Sequence, residues 1–205
     1  MIETIPLGEL VEKLDGISAG PSWSRLKTAT TEIGGVPVVK PAALTPDGRI
    51  LHDNLDRFPD EKATNLERFR LRVGDIVTVR QGLLGRQAVI GSAEHGWLFG
   101  PACMRIRLPA KSLVLSGYLA HFLGRADTRD WLYSQASGQT VPTLTERRLA
   151  ALPVIVPPLG VQEELRDQLA RVDAQARRHE RSLELLTELR VSLIEQAVKP
   201  PDASE

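Results

Sequence analysis

The feature that most constrains this fold is a run without glycine or proline over residues 161–199. Ten positions in this run follow one another at alternating steps of four and three, and eight of the ten are apolar. The ten seam positions are Leu165, Leu169, Val172, Ala176, His179, Leu183, Leu186, Arg190, Leu193 and Ala197. Such a heptad repeat predicts one helix, about 57 Å long at 1.5 Å per residue, that pairs with another long helix. Residues 158–199 are therefore predicted to form a coiled-coil helix for dimerisation and spacing, and residues 200–205 a disordered tail.

This seam leaves two alternatives open. The helix could instead fold back onto its own domain, but a helix packed on a core usually carries a wider apolar face than this one. The polar seam residues His179 and Arg190 are either tolerated polar sites or devices that set the register of pairing, as buried polar residues do in coiled coils.

A proline-rich segment, LPVIVPPLGVQEEL at 152–165, precedes the helix. Pro153 and Pro157 bracket three apolar residues, which predicts a short strand at a sheet edge. Pro157 and Pro158 fix an extended backbone, and the acceptors at 162–164 suit the free N–H groups of a helix start. The segment is typical of a hinge between a folded unit and a projecting helix.

Residues 1–157 alternate short β-like runs with turns rich in glycine and proline. β-branched residues and turn signals predict strands, and apolar residues at helical spacing predict helices. The predicted strands cover 34–40, 75–80, 87–91, 102–108 and 154–156, and the predicted helices cover 116–125, 125–136 and 145–149. Because the two do not alternate as βαβ units, we expect an α+β domain.

Composition narrows the class of protein. The 205 residues are 42% hydrophobic and include one cysteine, Cys103, so no intramolecular disulfide framework can form. The start of the chain lacks a secretion signal, and no stretch reaches the roughly 18 apolar residues of a membrane span. We therefore expect a cytoplasmic protein that is not inserted in a membrane.

The net charge of zero conceals a basic middle segment. Residues 62–111 contain nine basic and three acidic residues. Such a local excess of positive charge is typical of nucleic-acid-binding surfaces, although it also occurs on surfaces that bind nothing.

Signals for catalysis or cofactor binding are missing. The four histidines are widely separated and none has a partner at metal-ligand spacing. Glycine-rich nucleotide motifs and a nucleophile elbow are absent, and Cys103 has no histidine nearby in the sequence. We therefore expect no catalytic residue, no metal and no cofactor.

Three polar loops carry groups suited to DNA. Arginine and glutamine side chains reach base edges, and short hydroxyl side chains beside glycine suit phosphate contacts. The candidate residues are Ser22, Trp23, Ser24, Arg25 and Lys27 in the first loop, Arg80, Gln81, Arg86 and Gln87 in the second, and Ser137, Gln139, Thr140 and Thr143 in the third. Each residue also has a structural interpretation: Arg80 could pair with Asp75, Trp23 could lie in the core, and the threonines could cap a helix.

The order of these segments resembles the specificity (S) subunit of type I restriction-modification systems. The resemblance is carried by PLGEL at the start, by FRLRVGDIVTVRQGLLGRQAVI at 69–90, and most specifically by SGQTVPTLTERRLAALPVIVPPLGVQEEL at 137–165. It implies that residues 1–157 are a target recognition domain that reads a few base pairs of double-stranded DNA, and that the helix is the family's conserved spacer.

The resemblance also implies partners. The family's S subunit does no chemistry, and it binds two adenine-methylating modification subunits and, in some systems, restriction subunits that translocate DNA. VPPL at 156–159 accordingly lacks the acid or amide and the aromatic residue of a methyltransferase's catalytic loop. The usual subunit has two recognition domains and two antiparallel helices, whereas this chain has one of each. We therefore expect a half-subunit that forms a homodimer and reads a bipartite site, with a coiled-coil protein-interaction adaptor as the alternative.

Overall fold

The computed structural model describes residues 2–22, 26, 34–53 and 55–198, apart from the side chain of residue 197. By their contacts, the residues divide into two compact units, Met1–Glu163 and Glu164–Glu205. The first unit mixes short strands with short helices, and one long helix follows, so the predicted α+β class is confirmed. None of the described helices is long and apolar enough to cross a membrane.

The described strands are short and connected by irregular segments. They are β1 (Glu3–Pro6), β2 (Ile17–Ala19), β3 (Val36–Val39), β4 (Asp56–Phe58), β5 (Ile76–Val79), β6 (Gln87–Val89), β7 (Leu98–Phe99), β8 (Cys103–Ile106) and β9 (Pro153–Val156). The helices are α1 (Leu7–Leu10), α2 (Asp60–Ala63), α3 (Ser116–Gly124), α4 (Ala126–Gln135), α5 (Glu146–Ala150) and α6 (Leu159–Val198). Two 3₁₀ turns span Pro41–Ala43 and Thr64–Phe69.

A four-stranded sheet with the order β2-β8-β5-β6 separates two hydrophobic cores. Every residue of β5 and β8 is buried, and alternate residues point to opposite faces of the sheet. Ile76 and Ile106 pack into the core with α3, whereas Val77 and Cys103 pack into the core with β3 and β7. Both faces of this sheet are therefore covered, which explains the nearly continuous apolar runs of its central strands.

A second sheet has the order β4-β3-β7. Strand β3 pairs antiparallel to β4 and parallel to β7. The pattern predicted β3 but not β4 or β7, because two or three residues are too few to show an alternation.

The predicted strand at 154–156 is confirmed as β9, which pairs antiparallel with β1 in a two-stranded sheet. Val154 and Val156 are buried and Ile155 is 37% exposed. A strand in such a pair has one unpaired edge, where a proline such as Pro153 or Pro157 costs no ladder hydrogen bond.

The expectation that the side chain of Gln162 accepts from the free N–H groups at the start of the long helix is wrong. The side chain is instead fully buried against the loop before α3. Its Oε1 accepts from the backbone N–H of Leu115 at 2.9 Å, and its Nε2 donates to the carbonyls of Leu113 and Pro157 at 2.9 and 2.7 Å. Every polar atom of this buried amide thus has a partner, as burial requires.

Helix α6 is continuous from Leu159 to Val198, as the heptad repeat predicted. Most of its apolar seam is exposed, since Val172 is 62%, Leu183 65% and Leu186 61% accessible, whereas Leu169 is half-buried.

Candidate nucleic-acid interface

The structure brings two of the three predicted loops together. The backbone N–H of Gly82 donates to the carbonyl of Pro142 at 3.0 Å, and that of Leu144 donates to the carbonyl of Arg80 at 2.8 Å. Gln81 and Thr143 form an isolated antiparallel bridge. The segments 81–86 and 137–143 therefore form one surface, which we call the loop surface.

Gln139 and Thr140 are the freest polar side chains of the loop surface. Both are exposed, and neither has a hydrogen bond or ion pair from its side chain to the described part of the chain. Ser137 and Thr143, in contrast, donate their hydroxyls to nearby carbonyls, at 3.3 Å to Thr143 and 3.2 Å to Val141. An amide and a hydroxyl without internal partners can exchange water for DNA at little cost.

Two arginines of the second loop also hold this surface together. The Nε of Arg80 donates to the carbonyl of Leu144 at 3.2 Å, and Nη1 of Arg86 donates to the carbonyl of Leu44 at 3.3 Å. Both side chains are half-buried. Each therefore connects its loop to a neighbouring segment and keeps further donors for another acceptor.

Gln87 does not fit the expected base-reading role. It is only 5% exposed, and its buried Oε1 has no hydrogen-bond partner in the part of the chain that the structure describes. Its amide lies against Gly124, where a Cβ atom would stand 2.7 Å from Nε2. Because residues of β6 alternate between the two cores, Gln87 lies in the domain interior and not on the loop surface.

The first predicted loop lies mostly outside the described residues. Ser22 is exposed, whereas Trp23, Ser24, Arg25 and Lys27 belong to the part of the chain that the structure does not describe.

Part of the basic segment has a structural role. Arg105 is fully buried, donating to the carbonyls of Arg68 and Asp15 at 2.8 and 3.0 Å. Arg107 is 6% exposed and donates from Nε and Nη2 to the two carboxylate oxygens of Asp75, both at 2.7 Å. These hydrogen bonds raise the pKa of Arg107. Asp75 thus pairs with Arg107 and not with Arg80, and two of the nine basic residues of the segment are unavailable to DNA.

The threonine that caps helix α5 is Thr145, which is not one of the candidate residues of the third loop. The Oγ1 of Thr145 accepts from the backbone N–H of Arg148 at 3.3 Å and caps α5. Thr140 and Thr143 do not cap this helix, so the structural alternative for them does not apply.

Two further residues beside the loop surface were missed from the sequence. On α4, the Oη of Tyr133 donates to the carbonyl of Gly82 at 3.2 Å, and the stem of Arg129 packs over Gly85. Both are exposed, while Thr128 and Leu132 of the same helix are buried. Their spacing of four residues on a helix was the available signal, since it places both on one face.

The seam of α6 is the second candidate site. Leu165 and Leu193 are 37% and 56% exposed, and the side chain of Ala197 lies outside the described residues. The large apolar side chains at 165–172 span an arc of about 60° around the helix, whereas those at 183–194, Val191 excepted, span about 180°. Leu185, Leu189 and Ile194 account for the widening, and each is about half exposed.

In the described ranges, no group of three histidine, cysteine, aspartate or glutamate side chains is arranged to hold a metal ion.

No family model matches this chain. Among curated proteins, the chain is similar to the type I restriction enzyme EcoKI specificity subunit of Escherichia coli (strain K12). The two are 27% identical over a match of 199 residues, and the match covers 84% of this chain and 41% of that subunit.

Solved structures share the fold at low sequence identity. The HsdS subunit from Thermoanaerobacter tengcongensis gives a TM-score of 0.63 at 18% identity, over 100% of this chain and 51% of that one. A chain from a structure concerned with complex assembly and conformational transition of the type I R-M system also gives a TM-score of 0.63 at 18% identity. That match covers 96% of this chain and 44% of the other. The type I restriction-modification S subunit from M. genitalium gives a TM-score of 0.58 at 17% identity, over 99% of this chain and 46% of that one.

The chain thus spans about half the length of the proteins that it matches. The match covers the unit of strands and short helices and the long helix that follows it. Sequence and fold together relate this chain to the specificity subunits of type I restriction enzymes, and it corresponds to one half of such a subunit.

Proposed function

We propose that this chain is the non-catalytic DNA-specificity component of a cytoplasmic type I restriction-modification complex. The observation that carries the proposal is the joint similarity in sequence and fold to specificity subunits over most of the chain. The protein supplies sequence recognition, and its partners, an adenine-methylating modification subunit and in some systems a restriction subunit, supply the chemistry.

The loop surface is the proposed DNA-reading site. Gln139 and Thr140 are exposed and have no side-chain partner in the described ranges, and Gln81 lies beside them through its bridge to Thr143. Glutamine reads adenine through paired hydrogen bonds, and threonine contacts either bases or phosphates. Ser22 and the undescribed residues of the first loop stay candidates for the same role. The proposed site thus contains the usual mixture of base-reading and backbone-positioning groups.

The seam of α6 is the proposed dimerisation surface, and its occupant is a second copy of this chain. Leucines that are more than half exposed in a monomer cost free energy, which pairing with another helix recovers. In a parallel pair in register, Arg190 would face its own copy and place two like charges in the seam. An antiparallel pair avoids this repulsion, because each seam position then faces a different one.

Two antiparallel copies would read an inverted, bipartite DNA site. A helix of about 57 Å covers at most roughly 17 base pairs at 3.4 Å per pair, so the unread gap is shorter than that.

A two-helix seam covers only part of the apolar face at 183–194. Leu185 and Leu189 flank the seam on one side and Ile194 on the other, and all three stay partly exposed in such a pair. We assign the side with Leu185 and Leu189 to the modification subunit, since an apolar strip of this kind requires a partner in water.

We expect the protein to direct adenine methylation to one bipartite motif when it is expressed with its modification subunit. Long-read sequencing of methylated bases in the expressing cells would measure it. Replacing both Gln139 and Thr140 by alanine should change or abolish the motif, whereas Glu188→Gln, a polar change on the helix face opposite the seam, should leave it intact. Methylation that is absent, or that is the same without this chain, would refute the proposed function.

We expect antiparallel pairing to show in cysteine crosslinking. The native Cys103 is fully buried, and burial raises the pKa of its thiol to about 12, so it does not compete for oxidation. If the seam pairs symmetrically about its midpoint, position 190 lies opposite position 172. The variant with both Val172→Cys and Arg190→Cys should form a covalent dimer on a non-reducing gel, and Arg190→Cys alone should not. A dimer from Arg190→Cys alone would indicate parallel helices.

The alternative is a coiled-coil adaptor whose globular unit binds protein. The exposed seam alone would favour it equally. The methylation experiment distinguishes the two functions, because an adaptor without DNA recognition cannot determine a base motif.

A further inference from the structure

Arg129, on helix α4, lies at the edge of the loop surface. We propose that Arg129 contacts a DNA phosphate beside the bases that the loop surface reads, and that Gly85 keeps the space which positions it. This inference rests on the proposed function, since it assigns a further residue to the same DNA-binding site.

The geometry ties Arg129 to the glycine turn. A Cβ atom on Gly85 would stand 2.3 Å from Cγ and 2.8 Å from Cδ of Arg129. Gly85 also has φ +83°, a conformation that residues with a side chain rarely adopt. One turn further along the same face of α4, Tyr133 donates to the carbonyl of Gly82 at 3.2 Å. The aliphatic part of the Arg129 side chain is therefore packed on the turn, while Arg129 as a whole is exposed to solvent.

The charge of Arg129 is free in the described part of the chain, where it has no ion pair or hydrogen bond from its side chain. Its neighbours are engaged: Arg125 pairs with Asp127 at 2.5 Å, Arg148 donates to the carbonyl of Gln135 at 2.7 Å, and Arg86 donates to that of Leu44 at 3.3 Å. A guanidinium on a packed stem loses little conformational entropy when it binds a phosphate.

A phosphate contact has a measurable signature in its salt dependence. Each phosphate neutralised adds about 0.9 to the slope of log affinity against log salt on duplex DNA. We expect Arg129→Ala in the full-length protein to lower that slope by about 0.9 and to weaken binding roughly eight-fold at 0.1 M salt, for all sequences alike. Fluorescence anisotropy with a labelled duplex of random sequence measures both quantities.

Two control variants separate charge from structure. Arg129→Lys keeps the positive charge and should keep the slope. Arg125→Ala removes an arginine that lies in the same region but already has a carboxylate partner, and should change the slope much less. An unchanged slope in Arg129→Ala, with normal binding by the wild type, would overturn the inference and leave the proposed function standing. A wild type that neither binds DNA nor directs methylation would overturn both.

The positioning role of Gly85 is tested without DNA. Gly82 has φ +87°, but a Cβ atom there would meet nothing within 4 Å. Gly85→Ala should therefore lower the melting temperature more than Gly82→Ala, which carries similar backbone strain without the clash. In the Arg129→Ala background, where Cγ and Cδ are gone, the difference should disappear. An equal effect of the two glycine variants in the wild-type background would refute the positioning role.

Discussion

Glutamate at three seam positions is expected to convert the protein to a monomer. In the variant with Leu169, Leu183 and Leu186 all replaced by Glu, an antiparallel pair would bury six carboxylates in the seam, four of them opposite apolar residues. Each unpaired buried charge costs several kcal/mol, which exceeds what the remaining apolar seam recovers. Light scattering at micromolar concentration should give the mass of one chain for the variant and of two chains for the wild type.

The matched control places the same number of glutamates on the opposite face of the helix. Ala170, Ala174 and Arg177 lie away from the seam, and their combined replacement by Glu should leave the dimer intact. Circular dichroism checks that both variants keep their helix. A wild type that is monomeric would refute the homodimer, and a seam variant that stays dimeric would place the interface elsewhere.

Loss of methylation should accompany loss of the dimer. If the seam variant still directed methylation to the complete bipartite motif, one copy of this chain would suffice for recognition, and the two-fold arrangement would be wrong.

Asp75→Asn is expected to destabilise the globular unit by about 3 to 5 kcal/mol, the cost of leaving one member of a buried ion pair alone. Asp75 is 2% exposed and accepts two hydrogen bonds of 2.7 Å from Arg107, whose remaining carboxylate partner, Asp15, is 3.4 Å away. Asp75 also accepts from the backbone N–H of Arg72 at 2.8 Å. Thermal unfolding should show a melting temperature lower by roughly 6 to 20 °C.

The surface pair of Glu67 and Arg70 provides the control. Their Oε1–Nε distance is also 2.7 Å, but Glu67 is 62% exposed. Glu67→Gln should therefore change stability by no more than about 0.5 kcal/mol. Equal effects of the two substitutions would show that burial does not make the Asp75 pair important.

Long, regular elements could be predicted because their pattern repeats. Helix α6 shows its period over ten seam positions, and β5 and β8 show runs of apolar and β-branched residues. Strands of two or three residues, such as β7 and β2, carry no periodic signal. They form because a neighbouring strand offers them hydrogen bonds, which is a tertiary effect.

The candidate site could be predicted only in part for the same reason. Residue type marked Gln139 and Thr140 as suitable for DNA, and both proved to be exposed. Residue type marked Gln87 as suitable too, but Gln87 is buried. Its burial depends on which face of β6 meets a core, and residue type does not show this. It missed Arg129, because the significance of this residue comes from the glycine turn on which it packs.

By itself, the sequence determined the long helix and the longer strands and helices of the domain, since heptads and turn signals are local properties of the chain. The likeness to type I specificity subunits was also visible in motif order. The tertiary structure alone decided which charges are free. It pairs Asp75 with Arg107 inside the domain and joins the loops at 81–86 and 137–143, and among the described residues it gives Arg129, at their edge, no partner. These contacts join residues far apart in the chain, and the free energy of a charge depends on its burial and neighbours, which a linear pattern does not contain.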